Sequence, residues 1–132
     1  MSDISAEKLI KAAADASRKA YAPYSNISIG AALISKSGKI FTGANIENSS
    51  YSLTVCAERV AIFGAVFDGE CSFQALAVYS DEVLPVPCGA CLQVLAEFFE
   101  GNELIFVANK KRLIEKKFKE LLPFSFKIKT DV

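Results

Sequence analysis

The chain has no histidine and no tryptophan among its 132 residues. Without histidine there is no Ser-His-Asp triad, no imidazole general base and no imidazole metal ligand, so a metal centre must be built from thiolates and carboxylates. No apolar run reaches the roughly 18–20 residues that a membrane-spanning helix needs. Neither sign of charge is in excess, with fifteen Lys and Arg against fifteen Asp and Glu. A surface that tracks a phosphate backbone carries a clear positive surplus, so nucleic acid is not an expected partner. The Lys-rich stretch from Lys110 to Lys119 is expected to be solvated surface. The start, Met1-Ser2-Asp3, lacks the basic and apolar regions of a secretory signal. The expected compartment is therefore the cytoplasm, where the four cysteines stay reduced.

What is present is an ordinary globular balance, 52% apolar, in a length that suits one domain over residues 1–132. The spacing of Leu9, Ile10, Ala13, Ala14 and Ser17 predicts a helix over Glu7 to Tyr21, capped by Ser5 and ended by Pro23. Ile27 to Ser35 and Lys39 to Gly43 read as a hairpin about Ser37-Gly38, and the small run Gly30-Ala31-Ala32 implies close packing against it. A second helix is expected over Cys56 to Asp68. Thr54 is its candidate cap, and Val60, Ala61, Phe63, Gly64 and Phe67 make it apolar over much of its circumference, so the helix is expected to be buried. Gln74 to Ser80 and Leu104 to Ala108 read as buried strands. Gly89 to Glu100 reads as a third helix. Lys110 to Leu122 suits either a helix or a strand followed by one helical turn. The order predicts an α/β layered domain with a mixed sheet.

The chemistry concentrates in two stretches, Cys56-Ala57-Glu58-Arg59 and Pro87-Cys88-Gly89-Ala90-Cys91. Both open helices. Free N–H groups and the helix dipole favour thiolates there, and the spacing of Cys88 and Cys91 puts both on one face of the first turn. Three thiolates converging from two helix starts make a zinc site with its fourth position open, as catalysis requires. Glu58 is placed to reach an activated water without binding the metal. Arg59 is the cation available to offset the thiolate charge. Cys71 lies away from both helix starts and is expected to pack as a small hydrophobe.

At these residues the chain resembles the small homotetrameric cytidine deaminases. The marks are Pro23-Tyr24-Ser25, Gly30-Ala31-Ala32-Leu33, Gly43-Ala44-Asn45-Ile46-Glu47-Asn48, the two cysteine stretches, and Leu121-Leu122-Pro123. The resemblance implies a three-layer α/β/α sandwich on a mixed five-stranded sheet, with a strand and then a short helix over Lys110 to Leu122. It implies one Zn²⁺ per chain on Cys56, Cys88 and Cys91. It further implies hydrolytic deamination of cytidine and 2′-deoxycytidine to uridine and 2′-deoxyuridine, with release of ammonia, in pyrimidine salvage. Activated water would attack C4 while Glu58 carries protons to N3 and to the leaving amino group. Asn45 and Glu47 would hold ribose hydroxyls. Ala57 and Ile27 would line the nucleoside site, Tyr51 and Phe126 would reach a neighbouring subunit's site, and Arg59 and Gln93 would support the ligands.

Two positions depart from the family pattern. Ile27 stands where phenylalanine usually packs on the pyrimidine, and Leu92 stands where an arginine usually helps to neutralise the thiolates. Arg59 is then expected to act alone, with a higher pKa for the activated water that Leu92→Arg should lower. These departures motivate an alternative, a related deaminase with an altered substrate of the blasticidin-S or modified-cytosine nucleoside type. A non-catalytic zinc-stabilised module would instead need a fourth protein ligand.

Overall fold

Strand alternation sorts the apolar side chains into two layers, one on each side of a single sheet. The structure, a computed structural model, describes residues 5–128. Its strands are β1 (Ile29–Ser35), β2 (Ile40–Ala44), β3 (Phe73–Ser80), β4 (Leu104–Ala108) and β5 (Leu113–Lys117), in the order β2-β1-β3-β4-β5. The β3–β4 pair is parallel and the others are antiparallel, which gives the expected mixed sheet. Helix α1 (Ala6–Ser17) covers one face, where its Leu9 and Ala13 meet Ala32, Ile34, Ala75, Ala77 and Phe106. Helices α2 (Ala57–Phe67) and α3 (Gly89–Ala96) and the short α4 (Phe118–Leu121) cover the other. There Leu33, Leu76, Val78, Ile105 and Val107 pack with Ala61, Ile62, Leu95 and Phe99. Each fully buried Leu, Ile or Val contributes about 1.5–3 kcal/mol. The result is the expected three-layer α/β/α sandwich, with a strand and then a short helix over the previously ambiguous segment.

Two glycines set how closely the layers approach. A Cβ on Gly30 would lie 2.0 Å from the Ala13 carbonyl of α1, and one on Gly43 would lie 2.6 Å from both the Ala57 carbonyl and the Ala61 amide of α2. Helix backbone therefore rests directly on strand backbone on both faces, as the small run in β1 implied.

Several boundaries differ from expectation. Helix α1 ends at Ser17, not Tyr21, because Tyr21 is drawn across the chain. Its N–H donates to the Asn45 carbonyl (2.9 Å), and its carbonyl accepts from Glu47 N–H (2.8 Å). Strand β1 starts at Ile29 rather than Ile27, because the backbone of 27 and 28 is bound by side chains instead of a neighbouring strand. Helix α3 ends at Ala96 rather than Glu100, since the Glu103 carboxylate takes the N–H groups of Glu100 and Gly101 (2.7 and 2.8 Å). Thr54 does not cap α2; Cys56 occupies that position, and the Thr54 hydroxyl instead accepts from Asn48 N–H. Helix α2 buries one stripe, Ala57, Glu58, Ala61, Ile62 and Ala65, and leaves Phe63 51% and Phe67 95% exposed. Among the described residues no further layer covers that outer side. Cys71 is exposed, not packed.

Candidate metal and catalytic site

Both cysteine stretches begin helices that follow the same end of the sheet. Cys56 is the N-cap of α2 and Cys88 the N-cap of α3, each in extended backbone that turns its side chain back over the first turn. Cys91 lies one turn inside α3, fully buried, and its N–H donates to Cys88 Sγ at 3.5 Å. The sulfurs are 4.0 Å apart for Cys56–Cys88 and 3.3 Å for Cys88–Cys91, and all three lie within 4.8 Å of one another. A tetrahedral zinc with Zn–S bonds of about 2.3 Å sets its sulfurs about 3.8 Å apart, so the donor set fits that ion. Cys71 is outside the cluster, so the described residues offer three cysteine ligands and no fourth.

The local charges favour a thiolate at Cys56. The Cys56 thiol is pulled down to about 5, first by the hydrogen bond from the Cys91 thiol and then by the Arg59 guanidinium. Cys91 is pushed up, because it donates to Cys56 and is buried. An Nη of Arg59 lies 3.4 Å from Cys56 Sγ and 3.5 Å from the Thr54 carbonyl, while its buried Nε has no partner among the described residues. Leu92 is 7% exposed within the apolar cluster of α2 and α3. Among the described residues, Arg59 is the cation in contact with Cys56.

Glu58 follows on α2 and is only 5% exposed. Burial, then the negative charge of Cys56, pushes its carboxyl up to about 7. A carboxyl that titrates near neutrality beside a metal-ligand cluster can both take and return a proton. Ala57, its neighbour, is fully buried.

The other predicted residues divide into those already bound within the chain and those open to solvent. Asn45 is buried, with its Oδ1 accepting from Ile29 N–H (2.9 Å) and its Nδ2 donating to the Ile27 carbonyl (2.8 Å). The Glu47 carboxylate accepts from the N–H groups of Tyr24 (3.0 Å) and Ser25 (3.2 Å) and from the Ser25 hydroxyl. A cleft of about 360 Å³ is lined by Tyr24, Ser25, Glu47, Tyr51 and Thr54. Tyr51 is 75% exposed at its rim, edge-on to Tyr24 with 6.1 Å between ring centroids. Phe126 is also largely exposed, and its carbonyl accepts from Gln93 Nε2 at 2.8 Å. Ile27 is half-buried. The sequence reading assigned no role to Ser25, although Pro23-Tyr24-Ser25 was singled out as a motif; only the contact with Glu47, 22 positions away, reveals one.

Fold and site define a class: an α/β sandwich with a cluster of three cysteine sulfurs fit for zinc and a buried acid beside it. The chain belongs to the family of the cytidine and deoxycytidylate deaminase zinc-binding region, whose model matches residues 3–108. Family and cluster together identify one zinc per chain on Cys56, Cys88 and Cys91. The chain is 52% identical over 122 residues to the cytidine deaminase of Sporosarcina psychrophila, covering 91% of this chain and 90% of that protein. It is 32% identical to the blasticidin-S deaminase of Bacillus cereus, covering 74% and 76% of the two chains. The crystal structure of cytidine deaminase from Burkholderia pseudomallei superposes with a TM-score of 0.88 at 41% identity, covering 93% of this chain and all of that one.

Proposed function

We propose that the chain hydrolyses the exocyclic C–N bond of cytidine and 2′-deoxycytidine, giving uridine or 2′-deoxyuridine and ammonia, and that it serves pyrimidine salvage in the cytoplasm. The observation that carries this reading is the buried Glu58 carboxyl next to the cluster of three cysteine sulfurs. Cys56, Cys88 and Cys91 would hold the zinc, which would supply an acidified water as nucleophile near neutral pH. Glu58, held near neutrality by burial, accepts a proton from water and delivers it to the ring at N3 and to the departing amino group. Water adds at C4, the C4–N bond breaks and ammonia leaves, so the balance is cytidine plus water to uridine plus ammonia. Arg59 keeps Cys56 ionised and oriented. Asn45 and Glu47 take the sugar, Ala57 and Ile27 face the base, and Gln93 steadies the segment that carries Phe126.

The same reading includes one domain over residues 1–132, a homotetramer in which Tyr51 and Phe126 reach a neighbour's site, and no nucleic-acid partner. The exposure of Tyr51, Phe63, Phe67 and Phe126 supports the assembly. None of the described helices is long and apolar enough to cross a membrane.

The test is deamination followed by ultraviolet absorbance for the wild type and Glu58→Ala, with zinc quantified in both. Activity lost by roughly 10²–10⁴-fold in a variant that still carries zinc supports the role of Glu58 as acid and base. Ile27 favours the second reading, because an aliphatic side chain offers the base no ring to stack on. A wild type that holds zinc and leaves cytidine untouched, but deaminates blasticidin S or a modified cytosine nucleoside, would establish that second reading.

A further inference from the structure

Residues 24–28 lie between α1 and β1 without a place in the sheet ladder, and their backbone is held largely by side chains. The carboxylate of Glu47 accepts from the N–H groups of Tyr24 and Ser25, that of Glu82 accepts from the Ser28 N–H (2.9 Å), and Asn45 Nδ2 donates to the Ile27 carbonyl. Within this arrangement one hydroxyl is used twice. Ser25 Oγ donates to Glu47 Oε2 and accepts from Ile27 N–H at 3.0 Å. Asn26, between them, adopts a left-handed conformation (φ 60°), which folds the segment tightly enough for this double contact. The hydroxyl is therefore a direct link between the carboxylate read as the sugar contact and the residue read as the base contact.

Hydrogen-bonding capacity sharpens the point. Glu47 Oε1 already accepts two N–H bonds, so the remaining capacity of the carboxylate lies mainly on Oε2. Ser25 uses one site on Oε2 and thereby fixes the direction of the other. Without the hydroxyl, the carboxylate is free to rotate away from Oε1-only anchoring, and Ile27 N–H loses its acceptor.

We propose that Ser25 is a positioning residue that acts through Glu47, aiming the free side of its carboxylate at a sugar hydroxyl and holding that carboxylate in register with Ile27. This rests on the deaminase reading above. The experiment compares kcat/KM for cytidine and for 2′,3′-dideoxycytidine, which lacks the 2′ and 3′ hydroxyls of the sugar, in the wild type, Ser25→Ala and Ser25→Thr. Ser25→Ala should lower the value for cytidine roughly tenfold, the scale of one hydrogen bond to a charged group. The loss on the dideoxynucleoside should be about twofold or less, because the coupled partner is missing. Ser25→Thr, which keeps the hydroxyl, should recover most of the activity on cytidine. Equal losses on the two substrates, or none on either, overturn the proposal while leaving the deaminase reading intact. A wild type that deaminates neither overturns both. Should Ser25→Ala fail to fold, Ser25→Cys keeps the volume with a weaker donor and runs the same comparison.

Discussion

The guanidinium of Arg59 rests 3.4 Å from the sulfur of Cys56, three residues earlier at the start of the same helix. It also reaches the Thr54 carbonyl, so one planar group spans a metal ligand and the loop before it. Arg59→Ala should lower kcat/KM or zinc affinity by roughly 10–100-fold, as expected for loss of a ligand's supporting partner. Arg59→Lys should recover only part of this, since a compact and strongly hydrated ammonium replaces the planar guanidinium whose Nη meets both acceptors. Steady-state kinetics with zinc titration checks both variants.

The two close-packed glycines predict separable failures. Gly30→Ala drives a methyl into the backbone of α1, and Gly43→Ala drives one into α2. Each should lower stability by about 1–3 kcal/mol through overpacking. Gly43→Ala should also weaken zinc binding, because the Ala57 carbonyl that it strikes adjoins Cys56 and the Ala61 amide belongs to the same helix. Gly30→Ala, on the opposite face of the sheet, should leave the metal content of the folded protein unchanged. Thermal unfolding and zinc stoichiometry distinguish the two.

Glu47 predicts an acid-sensitive contribution to stability. The hydrogen bond from the Ser25 hydroxyl, followed by those from the Ser25 and Tyr24 N–H groups, holds its carboxyl below the ordinary range. A carboxyl depressed in the folded state contributes stability that is complete above its unfolded pKa, about 4.3, and is lost as pH falls through the lower folded value. Glu47→Gln mimics the protonated form. The difference in Tm between wild type and Glu47→Gln should be largest near neutrality and should close at acid pH.

The outer side of α2 predicts assembly. Phe63 and Phe67, four residues apart and exposed, stand on one side of the helix. Analytical ultracentrifugation should find the wild type as a tetramer. Phe63→Glu with Phe67→Glu should shift it toward smaller species, and a wild type that sediments as a monomer at micromolar concentration would remove the tetramer.

Much of the fold was written locally. Cys88 and Cys91 could be placed on one helical turn from their spacing alone, and Ser5 was identifiable as a cap that the Lys8 N–H indeed uses. The alternation that buries Leu33 on one face and Ile34 on the other is a property of β1 alone. The parts that escaped depend on distant partners. Tyr21 leaves the helical pattern only because Asn45 and Glu47 claim its backbone. The apolar pattern of α2 marks Phe63 and Phe67 as sites for burial, but the described residues leave both exposed. Burial also decides the chemistry of Glu58: its position after Cys56 was visible, but the enclosure that pushes it up to about 7 is a tertiary fact. Ser25 escaped because its partner is 22 residues away, and a serine after Pro-Tyr reads equally well as a turn residue.

Residues 24–28 stand outside the strand ladder, and this bears on how such a scaffold acquires new substrates. A substitution within a paired strand disturbs register, and one near the thiolates endangers the metal. The 24–28 segment is fastened by the side chains of Asn45, Glu47 and Glu82, so replacing Ile27, proposed above to face the base, should move neither a strand nor a sulfur. Adaptive change of specificity is therefore open to single residue steps at this segment, each leaving a folded, metal-competent protein on which the next can build.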